Sequence, residues 1–100
     1  ESVSLPGGLQ TLTFGDMFNQ SLNGVTLPNG LRTLVFGKQF NQSLEDVTLP
    51  DGLHTLVLGR DFNTRLVVPS ALETLTFGER FDQSLKGLAL PSCLRTLTFG

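Results

Sequence analysis

The side chains that could carry chemistry are few, and their spacing assembles no reactive site. The chain has 100 residues, among them one histidine, one cysteine, nine acidic and seven basic residues. A nucleophile needs a base within hydrogen-bond reach, and a metal site built from His and Cys needs several ligands at turn-compatible spacing. His54 and Cys93 are far apart in the sequence, and the carboxylates form no recurring pair of the kind used in acid and base catalysis. The sequence therefore predicts a protein that is not an enzyme, with no catalytic residue, no cofactor and no metal site.

The whole sequence is organised as a repeat of about 22 residues, and this repeat determines where each side chain lies. The string "LPGGLQTLTFGDMFNQSLNGVT" returns as "LPNGLRTLVFGKQFNQSLEDVT", and five prolines recur at spacings of 22, 22, 19 and 22 residues. Such a period predicts a solenoid, in which each coil buries its apolar face against the next one. We expect one array over residues 1–100, with coils that start near Leu5, Leu27, Leu49, Val68 and Leu90. Because the opening "ESVSLP" resembles the interior string "EDVTLP", we also expect this array to be a piece of a longer one.

Within each coil, the pattern "L-x-T-L-[TV]-[FL]-G" alternates apolar and polar residues with period two, which predicts a strand with one buried face. The glycine that ends this pattern predicts either a positive φ or a close approach of two backbones. A second, shorter extended segment, such as residues 25–27, precedes the proline turn. The prediction is a mainly β fold, a parallel β-solenoid of about 4.5 coils, one of them 19 residues long, with two short extended segments per coil and little or no helix.

One polar position recurs just after the second apolar set of each coil. It holds Asn19, Asn41, Asn63 and Asp82. Stacked asparagines at this position predict a ladder that satisfies backbone groups in the turn. The triplets that begin at Asn19 and Asn41 also match a glycosylation acceptor, and this alternative stays open.

The string "LPxxLxxLxFGxxFNQxL" resembles the FNIP repeat, a relative of the leucine-rich repeat, over essentially the whole chain. The chain departs from the usual pattern at Ser21, Ser43, Arg65 and Ser84, where the family usually has proline. The resemblance implies a right-handed solenoid of the leucine-rich-repeat type, which acts in protein interaction and has no known enzymatic chemistry.

The outward strand positions hardly vary, and they predict a flat surface made of two columns. The first column holds Thr11, Thr33, Thr55, Thr74 and Thr96. The second column, two residues further along each strand, holds Thr13, Val35, Val57, Thr76 and Thr98. One interpretation is that Thr and Val simply favour strands and pack well on their neighbours. Another is ice binding, because regular Thr columns on a parallel sheet are similar to the arrays of ice-binding β-solenoids. A third is stacking of copies, end to end or face to face, because an uncapped solenoid exposes strand edges.

Variable side chains border this flat surface and predict a rim at which a protein partner would bind. The rim residues are Gln10, Arg32, His54, Glu73 and Arg95, together with Asp16, Lys38, Arg60 and Glu79. The net charge of -2 and the scattered basic residues exclude a nucleic acid or an anionic membrane surface as the expected partner. We therefore expect a structural or protein-interaction module whose partner is another protein or a copy of itself. Ice is the alternative.

Overall fold

The computed structural model describes residues 3–4, 7–22, 25–44, 47–64, 67–82 and 90–99, which form short strands joined by turns. The strands are β1 (Val3–Ser4), β2 (Thr11–Thr13), β3 (Val25–Thr26), β4 (Thr33–Val35), β5 (Thr55–Val57), β6 (Thr74–Phe77) and β7 (Thr96–Phe99). No helix occurs in these ranges, and accordingly none is long and apolar enough to cross a membrane. The mainly β prediction is confirmed.

The main sheet has five parallel strands in the order β2-β4-β5-β6-β7. Its register follows the sequence repeat, because Leu12 pairs with Leu34, Leu34 with Leu56, Leu56 with Leu75, and Leu75 with Leu97. These five strands have only three or four residues each, because only four residues lie between the rim position and the glycine that follows the strand. Equivalent side chains are therefore stacked in columns along the solenoid, as the leucine-rich-repeat type requires.

The second extended segment is less regular than the sequence predicts. β1 and β3 form a two-stranded parallel sheet, whereas Val47 to Leu49 in the next coil belong to no strand although they repeat the residues of Val25 to Leu27. The following coil is the 19-residue one, which is shortened at this segment. The chain makes three turns of the solenoid between β2 and β6, slightly fewer than the predicted 4.5 coils. The next turn, from β6 to β7, passes through residues 83–89, outside the described part of the chain.

The core lies inside the coils and consists of leucine and phenylalanine. Leu34, Leu56 and Leu75 are fully buried at the centres of their strands, and Phe40 and Phe62 are fully buried after the glycine turn. Burial of each such side chain contributes about 1.5–3 kcal/mol before the entropy cost of folding. The rings of the phenylalanines stack from coil to coil, with centroids 5.9 Å apart for Phe18 and Phe40 and 6.1 Å apart for Phe40 and Phe62.

The glycine after each strand is required by a close approach of two backbones. A Cβ added at Gly37 would lie 2.5 Å from the carbonyl oxygen of Gly15, and one added at Gly59 or Gly78 would lie 2.5 Å from the carbonyl carbon of the preceding glycine in the column. None of these glycines has a φ in the left-handed region. The sequence left two reasons for glycine open, a positive φ and a close approach of two backbones. The close approach is the correct one.

The predicted asparagine ladder is confirmed. The backbone N–H of Asn41 donates to Oδ1 of Asn19 at 2.9 Å, that of Asn63 donates to Oδ1 of Asn41 at 2.8 Å, and that of Asp82 donates to Oδ1 of Asn63 at 2.8 Å. The side chain of Gln42 adds a further hydrogen bond to Oδ1 of Asn19 at 3.0 Å. Each asparagine thus supplies the acceptor for a turn N–H of the next coil, and the ladder ties three successive intervals together.

Candidate interaction surface

The two predicted outward columns lie side by side on the main sheet and keep an unbroken register. Threonine pairs with threonine along the first column, and the second column runs from Thr13 through Val35, Val57 and Thr76 to Thr98. These side chains are half-buried on the three inner strands and exposed on β2 and β7, because an inner side chain is covered by neighbours on both sides. The structure therefore brings all ten predicted residues together on one face. Whether this face is flat stays a prediction.

The first rim column, which consists of Gln10, Arg32, His54, Glu73 and Arg95, lies directly before the strands. Backbone hydrogen bonds link its successive members in pairs. The carbonyl oxygen of Gln10 accepts hydrogen bonds from the N–H groups of Arg32 and Thr33, at 2.8 Å and 3.0 Å. The same pair of bonds recurs at the carbonyls of Arg32, His54 and Glu73, with every distance between 2.8 Å and 3.0 Å. Since each rim carbonyl binds two N–H groups of the next coil, the backbone beneath these variable side chains is fixed.

The side chains of this first rim column differ in burial and in pairing. Gln10, Arg32 and Arg95 are exposed, whereas His54 and Glu73 are half-buried. Nε of Arg95 lies 3.9 Å from Oε1 of Glu73, one coil away. This ion pair is exposed, so it contributes little stability, under about 1 kcal/mol. The pair engages two of the rim charges with each other.

The second rim column follows the strands and holds Asp16, Lys38, Arg60 and Glu79. Oδ1 of Asp16 accepts a hydrogen bond from the backbone N–H of Lys38 at 3.3 Å. Arg60 binds Asp61 with Nε 2.9 Å from Oδ1, and Nε of Arg80 lies 3.4 Å from the same oxygen. The hydrogen bond from Arg60 is the main cause that lowers the pKa of Asp61 below its ordinary value, and the charge of Arg80 lowers it further. The pKa of Arg60 is raised mainly by the hydrogen bond to Asp61, with a smaller contribution from the charge of Glu79.

The pairs around Asp61 were not predicted from the sequence. The repeat places Asp61 and Arg80 in the column next to Arg60, so the sequence showed only that charged residues stand in neighbouring columns of the third and fourth coils. Pairing across those columns depends on rotamers that the spacing does not specify. The outcome matters for the surface, because the ion pairs engage Arg60, Arg80 and Arg95. Among the described residues, Arg32 and Lys38 belong to no ion pair.

The described residues contain no cluster of metal-ligating side chains. No group of three or more His, Cys, Asp or Glu side chains in these ranges could hold a metal ion. Cys93 is exposed and free, and no described buried side-chain nitrogen or oxygen lacks a hydrogen-bond partner. What the surface offers is an ordered strip of hydroxyl and methyl groups between two columns of polar and charged side chains.

Comparison with known proteins identifies the repeat. The FNIP repeat matches the sequence three times, at residues 1–39, 40–68 and 66–100. The chain belongs to the FNIP repeat family. A search of curated proteins finds no match.

The fold of this FNIP chain is also similar to a solved leucine-rich-repeat structure. The crystal structure of CroV588, described as a novel circular LRR protein, superposes with a TM-score of 0.88 at 40% sequence identity. The similarity covers 96% of this chain and 15% of that chain, so the FNIP array spans a small part of that protein's length. FNIP repeats on a leucine-rich-repeat-like solenoid form structural or protein-interaction modules and typically carry no catalysis.

Proposed function

We propose that this FNIP array is a protein-interaction module that binds its partner across the outer face of the five-stranded sheet. The observation that carries the proposal is the doubly hydrogen-bonded backbone of the rim, because it presents side chains that differ from coil to coil at fixed positions. Binding at such a surface costs this chain little ordering entropy, since its rim backbone is already held by hydrogen bonds before binding. The uniform Thr and Val strip supplies the contact area, and the rim supplies the selectivity.

The charges of the rim favour a partner with acidic side chains. Arg32 and Lys38 flank β4 at its two ends, and both are exposed and outside the described ion pairs. Between them lies Val35, which pairs in register with Val57 on β5. The second coil thus places an apolar centre between two free cations. An extended segment that carries an apolar residue with carboxylates on both sides complements this arrangement.

The test is the affinity of peptides selected from a random library against the wild-type chain. We expect the selected peptides to be rich in Asp and Glu and to lose at least tenfold in affinity for the Arg32→Glu, Lys38→Glu double variant. A control is Arg80→Glu, which reverses one charge outside the flanks of β4. Peptides that bind the double variant and the wild type equally well would contradict the proposal.

Ice binding through the threonine columns is a second candidate, favoured by one observation. Threonine pairs with threonine at all four strand junctions of the first column, with a strand spacing of about 4.8 Å. The test is thermal hysteresis and partition of the protein into a growing ice hemisphere. Activity that is lost with Thr33→Lys and Thr55→Lys, and kept with Arg32→Glu and Lys38→Glu, would assign the face to ice. A well-folded parent without hysteresis would rule ice binding out.

A further inference from the structure

We propose that the acidic partner of the outer face is a second copy of this chain, which packs its own outer face on the first in a two-fold symmetric dimer. This inference rests on the function proposed above and names its partner. The two-fold axis runs parallel to the strands and passes over β5, so that β4 of each copy lies opposite β6 of the other. The pairing uses β4, β5 and β6, each of which has a described strand on both sides.

The flanks of β6 carry the charges that the flanks of β4 require. Glu73 and Glu79 occupy the same repeat positions around β6 that Arg32 and Lys38 occupy around β4. Arg32, Lys38 and Glu79 are exposed, and Glu73 is half-buried. Among the described residues, Arg32, Lys38 and Glu79 belong to no ion pair. The second and fourth coils therefore present opposite charges at matching positions.

These opposite charges cannot meet within one chain. β5 lies between β4 and β6, so the two coils are about 10 Å apart. Rotation about an axis parallel to the strands keeps the strand direction and reverses the order of the coils. Arg32 then lies opposite Glu73 of the second copy, and Lys38 lies opposite Glu79. Each pair forms twice by symmetry, and the long rim side chains can reach across the roughly 10 Å that separates two packed sheets.

The centre of the face is complementary to itself. In this arrangement, Val57 lies opposite Val57 of the second copy, and Val35 lies opposite Thr76. These side chains are half-buried and uncharged, so they pack methyl groups against methyl groups without burying a charge. The predicted flatness of the strip allows both columns to make contact.

The rim residues of the third coil meet their own copies near the axis. The charge of Arg60 is balanced within its own chain, because its Nε lies 2.9 Å from Oδ1 of Asp61. His54 faces a second imidazole, and an imidazole offers both a hydrogen-bond donor and an acceptor. The third coil therefore does not oppose the pairing of its neighbours.

The charge pattern selects this arrangement over other two-fold pairings of the same face. An axis over β4 would place Lys38 opposite Lys38, and an axis over β6 would place Glu79 opposite Glu79. An axis between β5 and β6 would place Arg32 opposite Arg95. An axis along the solenoid would place Arg32 opposite Lys38 in the second coil. Like charges that face each other disfavour each of these alternatives.

The size of the face predicts a weak dimer. The face measures about 19 Å across its five strands and about 20 Å from rim to rim. Two such faces cover about 800 Å² in total, below the roughly 1,200 Å² of a standard stable interface. We therefore expect association at micromolar to millimolar concentration, and weaker association at high salt.

The first test exchanges charges between the two coils. The Arg32→Glu, Lys38→Glu variant makes both coils acidic, and the Glu73→Arg, Glu79→Lys variant makes both basic. Sedimentation equilibrium from micromolar to millimolar concentration should show a dimer for the wild type and at least tenfold weaker association for each variant alone. An equimolar mixture should recover the dimer, because each acidic coil then faces a basic one.

The controls are Arg80→Glu and Asp51→Lys, which reverse a charge outside the four paired positions and should leave the dimer unchanged. A wild type that stays monomeric at every concentration, or a mixture that does not associate, would overturn the inference. Acidic peptides that bind the wild type and lose affinity for the Arg32→Glu, Lys38→Glu variant would in that case leave the proposed function standing. Loss of both peptide binding and dimer would remove both.

The second test traps the dimer covalently and keeps every rim charge. Val57→Cys, in a Cys93→Ser background, places a thiol next to the same thiol of the second copy. A short bismaleimide should link two copies rapidly at low salt and slowly at high salt. The matched control is Val67→Cys in the same background, at a side chain that is 64% exposed and outside the main sheet. Equal rates for the two variants would contradict the pairing, since residue 67 is far from the axis.

Discussion

Oδ1 of Asn41 lies 2.8 Å from the backbone nitrogen of Asn63, one coil further along the solenoid. Asn41 also donates its own backbone N–H to Asn19 at 2.9 Å. The side chain therefore bonds the coil that follows, while the backbone bonds the coil that precedes. A polar position that recurs in four successive repeats thereby ties neighbouring coils together.

Replacement of Asn41 by alanine should destabilise the fold by about 0.5–1.5 kcal/mol, because the N–H of Asn63 loses its protein acceptor. Asn41→Asp keeps an oxygen at the same place and should cost less. The measurement is the free energy of unfolding in urea for both variants. Equal stability of the Ala variant and the wild type would show that a water molecule accepts the hydrogen bond from the N–H of Asn63 equally well.

Gly59→Ala should destabilise the fold by at least about 1–3 kcal/mol, the range for overpacking, because its Cβ would collide with the backbone of Gly37. Gly15→Ala is the matched control, since it adds the same methyl group where nothing lies within 4 Å. We expect Gly15→Ala to be neutral or to stabilise by about 0.4–1 kcal/mol, through a less flexible unfolded chain. Thermal unfolding at low protein concentration compares the two. A larger loss for Gly15→Ala than for Gly59→Ala would refute the close-packing explanation.

Phe40→Ala should cost about 3–5 kcal/mol, because the side chain is fully buried in the middle of the ring column. Its ring lies 4.1 Å from that of Phe36 and 6.1 Å from that of Phe62, measured between centroids. Met17→Ala, at a side chain that is 80% exposed, should change the unfolding free energy by less than about 0.5 kcal/mol. Similar values for the two variants would mean that the aromatic column does not hold the coils together.

The stabilising effect of Asp61 should depend on pH. Its pKa is lowered in the folded chain by the hydrogen bond from Arg60, so the carboxylate stabilises the fold above its unfolded pKa. That contribution is lost as the pH falls through the lowered folded pKa. Asp61→Asn should therefore be less stable than the wild type at neutral pH, and the difference should shrink and vanish as the pH falls through the lowered folded pKa.

The control for this titration is Asp51→Asn, which removes an exposed carboxylate outside the described ion pairs. It should show a smaller difference from the wild type at neutral pH. Denaturation midpoints at several pH values, repeated at high salt, make the comparison. A difference for Asp61→Asn that persists in acid would show that the ion pairs with Arg60 and Arg80 are not its cause.

The repeat made most of the fold predictable. Identical residues at identical spacing predict that Leu34 lies against Leu56 and Phe40 against Phe62. The second sheet was harder to predict, because Val47 repeats the local sequence of Val25 but precedes the shortened coil. The asparagine ladder was predictable because it needs only one recurring side chain beside a recurring backbone group.

The sequence predicts which residues lie on the surface, and it does not predict which charged side chains form ion pairs. The repeat specified which residues point outward, and the structure places Thr33, Thr55 and the rim residue Arg32 accordingly. It did not specify that Arg60 and Arg80 share Asp61, since exposed ion pairs are chosen by rotamers and small energies. The sequence alone therefore does not predict that Arg32 and Lys38 stay outside the described ion pairs.

The measurement that tests the central claim most directly is a map of backbone amide shifts in nuclear magnetic resonance, recorded while library-selected peptides are added. Binding across the outer face predicts shifts that centre on residues 32–38 and extend to residues 54–60 on the next strand. Val67, which is exposed outside the main sheet, should not shift. Peptides that shift residues around Val67 and leave β4 and β5 unchanged would contradict the assignment of the outer face as the binding surface.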